Sequence, residues 1–453
     1  MSRVWSRARR LALAAGVCGF AGGLAVPVHA QEAPPTKLFD RLFAPKTAAG
    51  GASISVFEGS DTISGSTEAL GSQTLAGGTF TGVSPSISYT HPGRVAQAHV
   101  SGDSSFRRYD ASGESALVGL NANAVVQVVR SRTGLRLQQT VSYAPYYDFL
   151  AVSRSVLGFG QALFDQDPAG VSPERAASGR DVTTLNTSAD VARQLTRRVT
   201  LSARYGLQMY RFGASATPLE REGTPEVTGP VANTQIHSAA VRLSRQVGRN
   251  TALALGYETR VALSAQGGRP SRVQDIDLGI NRAQMLRLSR YTSMDFSTGS
   301  SIVEVTGGHR LYLTGLARVQ RDLSRTWTAV LTGQRAVSYL DGLQGSVLND
   351  TVGVSAGGAL APRLELTMGA SYAHGLITDS DTGFRLYSGS ARLRARVTSY
   401  FGLYAEWAQY RHVFDAGTGL PAGVAQRLDR RGLRVGVLIN APLQREAGER
   451  GER

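Results

Sequence analysis

Arg198–Phe212, RVTLSARYGLQMYRF, places Val199, Leu201, Ala203, Tyr205, Leu207 and Met209 on alternate residues, with Thr200, Ser202, Arg204 and Gln208 between them. Strict alternation of this kind makes a strand with one apolar and one polar face. A water-soluble sheet would bury the apolar face under a second layer rich in large side chains. Whether the chain contains such a layer decides the fold.

The stretch is one copy of a repeated hairpin, and repeats take precedence over single elements. Short polar turns followed by alternating strands recur in RSRTGLRLQQTVSYAPYY from Arg130, LTRRVTLSARYGLQMY from Leu195 and VGRNTALALGYETRV from Val247. They recur again in LSRYTSMDFSTG from Leu288, LSRTWTAVLTGQRAVSY from Leu323, LAPRLELTMGASY from Leu360 and VTSYFGLYAEWAQY from Val397. A further hairpin turns at HPGR, His91–Arg94, where Pro-Gly is a strong turn signal. These eight hairpins supply sixteen strands. ASISVFE (Ala52–Glu58) and GLRVGVLINAPL (Gly432–Leu443) add one at each end, so the expectation is about eighteen strands with both chain ends on the turn side. The connections alternate between tight turns and loops rich in Gly, Pro, Ser and Asp, such as 148–181, 213–232 and 415–430. Short turns on one rim and long loops on the other are the pattern of an outer-membrane barrel, with the turns in the periplasm.

No covering layer is present. One parity of the strands reads Leu135, Leu137, Val141, Tyr143; Leu253, Leu255, Tyr257, Val261; Leu364, Leu366, Met368, Tyr372; Leu433, Val435, Val437, Ile439. The other reads Arg136, Gln138, Thr140, Ser142; Glu258, Arg260; Glu365, Thr367, Ser371. Strands polar on one face do not form a sheet covered on both sides. With 52 glycines and only 7% aromatic residues, the chain lacks the bulk for a second core layer. The expected fold is therefore all-β: a single transmembrane antiparallel β-barrel over 52–443, of about 18 strands, with short periplasmic turns and long extracellular loops. Lipid touches the apolar face and water the polar one, and closure satisfies the backbone groups that hydrocarbon cannot. Tyr291, Trp327 and Phe401 beside the turns, and Tyr205, Tyr257, Tyr339, Tyr372 and Trp407 further along, are expected as interfacial belts.

MSRVWSRARR is a basic leader, and LALAAGVCGFAGGLAV is too short for a permanent membrane helix. With the small-residue site Val28-His29-Ala30 these define residues 1–30 as a signal peptide, followed by a periplasmic segment over 31–51 and, after the barrel, a polar tail over 444–453. Loss of Arg3, Arg7, Arg9 and Arg10 lowers the net charge from +15 to about +11 and, with Cys18, leaves an exported chain without cysteine. Lys37 and Lys46 are the only lysines.

The leader, the L-S-R turns and the amphipathic strands resemble Gram-negative outer-membrane β-barrels, and in particular porin-like barrels associated with exopolysaccharide export. The resemblance implies an outer-membrane location, contact with lipid and lipopolysaccharide, dependence on the barrel-assembly machinery, and periplasmic export components as partners. One departure stands out. Such barrels usually end on an aromatic residue that the assembly machinery reads, whereas here Leu443 is followed by QREAGERGER.

An eighteen-stranded barrel is too wide for its strand side chains to fill, so a channel is expected. Alternation points Arg136, Arg204, Arg242, Arg260, Arg310, Arg318, Arg392, Arg394, Arg396 and Arg434 into the lumen as the substrate path. Rings of arginine favour anions. Asp103, Asp190, Glu258, Asp275, Asp277, Asp295, Glu365 and Glu406 share the same parity, so a lumen neutralised by its own ion pairs is the competing reading. The function expected is an outer-membrane channel for anionic solutes or an exported acidic polysaccharide. The alternative is a structural or plugged surface barrel. The loop 148–181 either narrows the pore or caps the loops, and 32–51 either plugs the turn side or is a lead-in to the first strand. His91, His99, His237, His309, His374 and His412 are scattered and form no nucleophile or metal motif, so no enzyme, cofactor or metal is expected. Nucleic acid is not an expected partner either, since the arginines alternate into a lumen.

Overall fold

The computed structural model describes residues 49–65, 78–93, 95–109, 115–144, 182–212, 233–248, 252–264, 270–281, 286–287, 289–305, 307–339, 346–379, 382–398, 400–415 and 426–442. Every regular element there is a strand: β1 (Ala49–Gly65), β2 (Gly78–Pro92), β3 (Ala96–Tyr109), β4 (Ser115–Arg130), β5 (Thr133–Ala144), β6 (Val182–Thr196), β7 (Val199–Phe212), β8 (Thr234–Gln246), β9 (Ala252–Ser264), β10 (Ser271–Asn281), β11 (Leu286–Arg287), β12 (Thr292–Val305), β13 (Gly308–Asp322), β14 (Trp327–Tyr339), β15 (Ser346–Ala361), β16 (Leu364–Ile377), β17 (Gly383–Arg396), β18 (Phe401–Phe414) and β19 (Arg427–Pro442). Neighbours in sequence pair antiparallel, and β1 pairs with β19 from Gly51↔Pro442 to Gly65↔Leu428, closing the sheet. β11 is a two-residue stub beside β12, and β10 pairs directly with β12. Eighteen long strands remain, the number the hairpin repeat predicts.

Alternation decides which face points out, because a slip of one residue would invert a whole strand. The outer face is apolar, and its large side chains stand exposed among the described residues. Leu311 and Leu313 are 68% and 73% exposed, and Leu201, Leu255, Val354 and Leu433 stand out likewise. An apolar belt around a closed sheet fits hydrocarbon as its solvent. The chain is thus a transmembrane β-barrel of the outer-membrane type. Tyr205, Tyr257, Tyr372 and Trp407 lie on this outer face as expected for a belt.

β1 begins at Ala49 rather than Ala52, and β19 ends at Pro442. Both ends lie on the rim of tight turns. The opposite rim holds the longest connections; two departures are 282–291 on the turn rim, which includes β11, and 306–307, which joins β12 to β13 through Gly307 at φ +96°. That backbone conformation favours glycine. The segments 1–30, 32–48, 148–181 and 444–453, for which a leader, a plug or lead-in, a constriction or cap, and a tail were expected, lie outside the described residues.

The inner face is layered. Toward the turns it is polar. Toward the loops it becomes an apolar cluster drawn from many strands, including Tyr210, Ile236, Val273, Val303, Val337, Tyr339, Val347, Ile377, Phe384 and Phe414. The cause is the β14–β15 hairpin. β13 and β14 pair only from Gly315↔Arg335 to Asp322↔Thr328, whereas β14 and β15 stay paired up to Tyr339↔Ser346. Beyond Arg335, β14 therefore leaves the wall and leans inside the barrel. Tyr339, expected in the outer aromatic belt, is instead buried. Its hydroxyl lies 2.8 Å from the Ser271 carbonyl oxygen and 3.2 Å from that of Arg260, across the inner face of β13 and β12.

Candidate functional site

The polar half of the lumen holds a belt of fixed charge a few residues above the turns. On the wall of β5 to β10 one rung of the sheet runs Arg136, Asp190, Arg204, Ala240, Glu258, Asp275. Arg204 pairs with Asp190. Arg260, one rung nearer the loops, holds Asp275 at 2.5 Å and lies 3.8 Å from Glu258. Asp275 also accepts the Ser301 hydroxyl. Arg136 donates to Gln138 at 3.0 Å.

Arg242 on β8 and Asp277 on β10 pair across the intervening β9. They can do so because Gly256 lies between them in register and presents no side chain. A Cβ there would come within 1.9 Å of the Asp277 carboxylate.

Half the circumference away, Arg392, Glu406 and Arg434 occupy one rung of β17, β18 and β19. The Glu406 carboxylate accepts from Arg392 at 2.6 Å on one oxygen and from Arg434 at 2.5 Å on the other. All three side chains are only 11–17% exposed. The Arg392 guanidinium lies 5.8 Å from the Tyr404 ring centroid, and the Arg434 guanidinium 5.8 Å from that of Phe57. Aromatic faces at that distance attract cations, so both guanidiniums are fixed in direction.

Arg394 faces Glu365 and Arg396 ends β17 opposite Gly402. Both are exposed, and among the described residues neither has a carboxylate within ion-pairing distance. Arg318 lies opposite Asp295 in register, and Arg310 donates to the Thr378 carbonyl at 2.9 Å, below the inward hairpin. All ten arginines predicted to line the lumen sit on its inward parity. They do not act as one ring. Arg204, Arg242, Arg260, Arg392 and Arg434 are paired with carboxylates, and Arg394 and Arg396 are the ones left facing water.

Two inward arginines escaped the sequence reading. Arg107 is buried with its guanidinium 4.2 Å from the Phe80 ring centroid. Arg430 is buried against Asp61 at 2.5 Å. Both lie on strand ends that run further toward the loops than a membrane crossing requires, β3 reaching Tyr109 and β19 starting at Arg427. No alternation marked them: Arg107 precedes Arg108 and Arg430 sits between Asp429 and Arg431, so charge falls on both parities there.

Between the charged belt and the apolar cluster lies a cavity of about 490 Å³. Arg204, Arg242, Arg260, Glu258, Asp275 and Asp277 line it from the wall, and Ser338 and Tyr339 cover it from the hairpin. Guanidiniums and carboxylates in fixed positions can bind and orient a small polar solute; among the described residues no His, Cys, Asp or Glu side chains cluster as metal ligands.

No protein-family model matches the sequence, and no curated protein does. By structure the chain is similar to OpdQ of Pseudomonas aeruginosa, with 9% identity and a TM-score of 0.44 over 88% of this chain and 98% of that one. It is similar to OccK11 (OpdR) of the same organism, with 11% identity and a TM-score of 0.43 over 88% and 96%. It also matches a loop L8 deletion mutant of OmpT, an outer membrane protein of Vibrio cholerae, with 10% identity and a TM-score of 0.34 over 87% and 100%.

Proposed function

We propose that the protein is a passive channel of the Gram-negative outer membrane for small polar solutes, with a preference for anions set on the turn-side half of its lumen. The observation that carries this is the unequal pairing of charge across the lumen. On the β5–β10 wall, Arg204, Arg242 and Arg260 meet Asp190, Asp277, Asp275 and Glu258. On the opposite wall two arginines share Glu406, and among the described residues Arg394 and Arg396 stand beside them with no carboxylate within ion-pairing distance. A basic wall facing a mixed one gives a transverse field with a positive surplus, which concentrates anions and orients dipolar solutes. An exported acidic polysaccharide, the larger cargo that the family resemblance implies, requires in addition that the apolar cluster part.

The test is the reversal potential in a planar bilayer under a salt gradient. The wild-type pore should select anions, and Arg394→Gln with Arg396→Gln should move the reversal potential toward zero. A cation-selective pore, or a double variant with unchanged selectivity, overturns the proposal. A second reading, a plugged surface barrel, is favoured by the apolar cluster at the loop end. It predicts no conductance in the wild type.

A further inference from the structure

The connections on the rim of tight turns carry charge of one sign, with Asp322 at the end of β13 the carboxylate beside them. The turn-side connections 93–95, 131–132, 197–198, 247–251, 282–285, 288–291, 323–326, 362–363 and 397–400 contain no Asp or Glu, and all but the last contain an arginine. The arginines are densest from β4 to β8. Arg130 and Arg193 end the outward parity of β4 and β6 and flank Thr133 on one rung. With strands about 4.8 Å apart, their Cα atoms are about 10 Å from each other, within reach of a single phosphate for two arginine side chains. Arg132, Arg197 and Arg198 project from the adjoining turns, and Arg245 ends the outward parity of β8. All six are exposed.

Directly above this cluster the same outer face turns apolar, with Leu137, Val191, Leu201 and Leu243 exposed. A ligand that fits both parts has an anionic head at the level of the turns and an apolar tail running up the wall. We propose that the outer rim of β4 to β8 is a binding site for anionic phospholipids of the leaflet that surrounds the turns. The guanidiniums bind the headgroup phosphate with paired hydrogen bonds, and the leucine face holds the acyl chains. Basic side chains beside an anionic leaflet are drawn to its surface, and long arginine stems carry the charge to the headgroup level. The site lies outside the lumen and holds whether or not the pore conducts.

The experiment reconstitutes the full-length barrel in vesicles of equal phosphatidylglycerol and phosphatidylcholine, extracts it in mild detergent and quantifies the lipid retained. The expected result is an excess of phosphatidylglycerol of about five-fold. It should fall to near parity in the variant carrying Arg130→Gln, Arg193→Gln, Arg197→Gln and Arg198→Gln. Folding of that variant is checked by its shift in electrophoretic mobility on heating. The wild type in about 1 M NaCl, where the Debye length is about 3 Å, should lose the excess as well, and this arm decides the matter if the variant does not fold. Equal retention of the two lipids by the wild type, or an excess that survives high salt, overturns the proposal. Displacement of the lipid by free glycerol 3-phosphate also overturns it, in favour of a soluble phosphate ligand.

Discussion

Single side chains set the charge of the lumen through what lies beside them in register. Glu406 neutralises one of two guanidiniums that both close on it. Glu406→Gln removes the shared charge and leaves Arg392 and Arg434 facing each other. Breaking a pair this far from bulk water costs about 3 kcal/mol, read as a lower unfolding temperature in detergent. In the same variant the reversal potential should move further toward anion selectivity. Unchanged values of both would mean that the three residues do not act as a unit. Gly256 works in the opposite way, by being absent from the space that the Arg242–Asp277 pair crosses. Gly256→Ala places a methyl group 1.9 Å from the Asp277 carboxylate, and overpacking of this kind costs about 1–3 kcal/mol. Gly279→Ala, whose added Cβ comes no nearer than 3.4 Å to Ser297, is the matched control and should unfold close to wild type in the same denaturant titration.

At the scale of the element, the β14–β15 hairpin converts a wide barrel into one with a closed apolar layer. Val337 and Val347 are buried to 0% and 1% exposure inside that layer. Val337→Ser with Val347→Ser should loosen the seat and wet the constriction, since apolar narrowings gate by excluding water. The expected outcome is a single-channel conductance raised about two-fold or more, and conductance equal to wild type would mean that the layer does not limit flow. This hairpin also marks the limit of what the sequence could tell. β9 alternates throughout and β7 from Val199 to Met209, so their lipid and lumen faces were legible over those residues. β14 alternates as well, yet its end places Ala336, Val337 and Tyr339 on both parities, and Val347 and Leu348 follow the first residue of β15. Apolar residues on both faces show that both faces are covered. What covers them depends on where β13 stops pairing, which no local pattern encodes. The charged belt was legible in the same partial way. Alternation placed Arg242 and Asp277 inside, but their pairing needed the register of three strands and the gap at Gly256.

The whole molecule is one sheet whose last pairing, β1 with β19, joins the two ends of the barrel. Until it forms, two strand edges carry unpaired backbone groups that hydrocarbon cannot satisfy, and every earlier hairpin leaves that cost unrelieved. The seam is secured near the loop end by Asp61 and Arg430, separated by 369 residues and exposed by only 0% and 1%. An ion pair so deeply buried contributes specificity at the closing register, because a slipped seam would strand both charges. Asp61→Asn leaves the Arg430 charge buried without its counter-ion, at a cost of about 3–5 kcal/mol. The measurement is the temperature at which the fast-migrating folded band on a denaturing gel converts to the slow, unfolded one. Asp61→Asn should lower that temperature clearly, whereas Glu58→Gln, on the exposed outer parity of the same strand, should leave it near wild type. If both variants convert with the wild type, closure rests on the backbone ladder alone and the buried pair is dispensable to it. If Asp61→Asn yields no folded band at any temperature, the pair is needed for the seam to form at all, and the ends of the chain meet only when those two charges do.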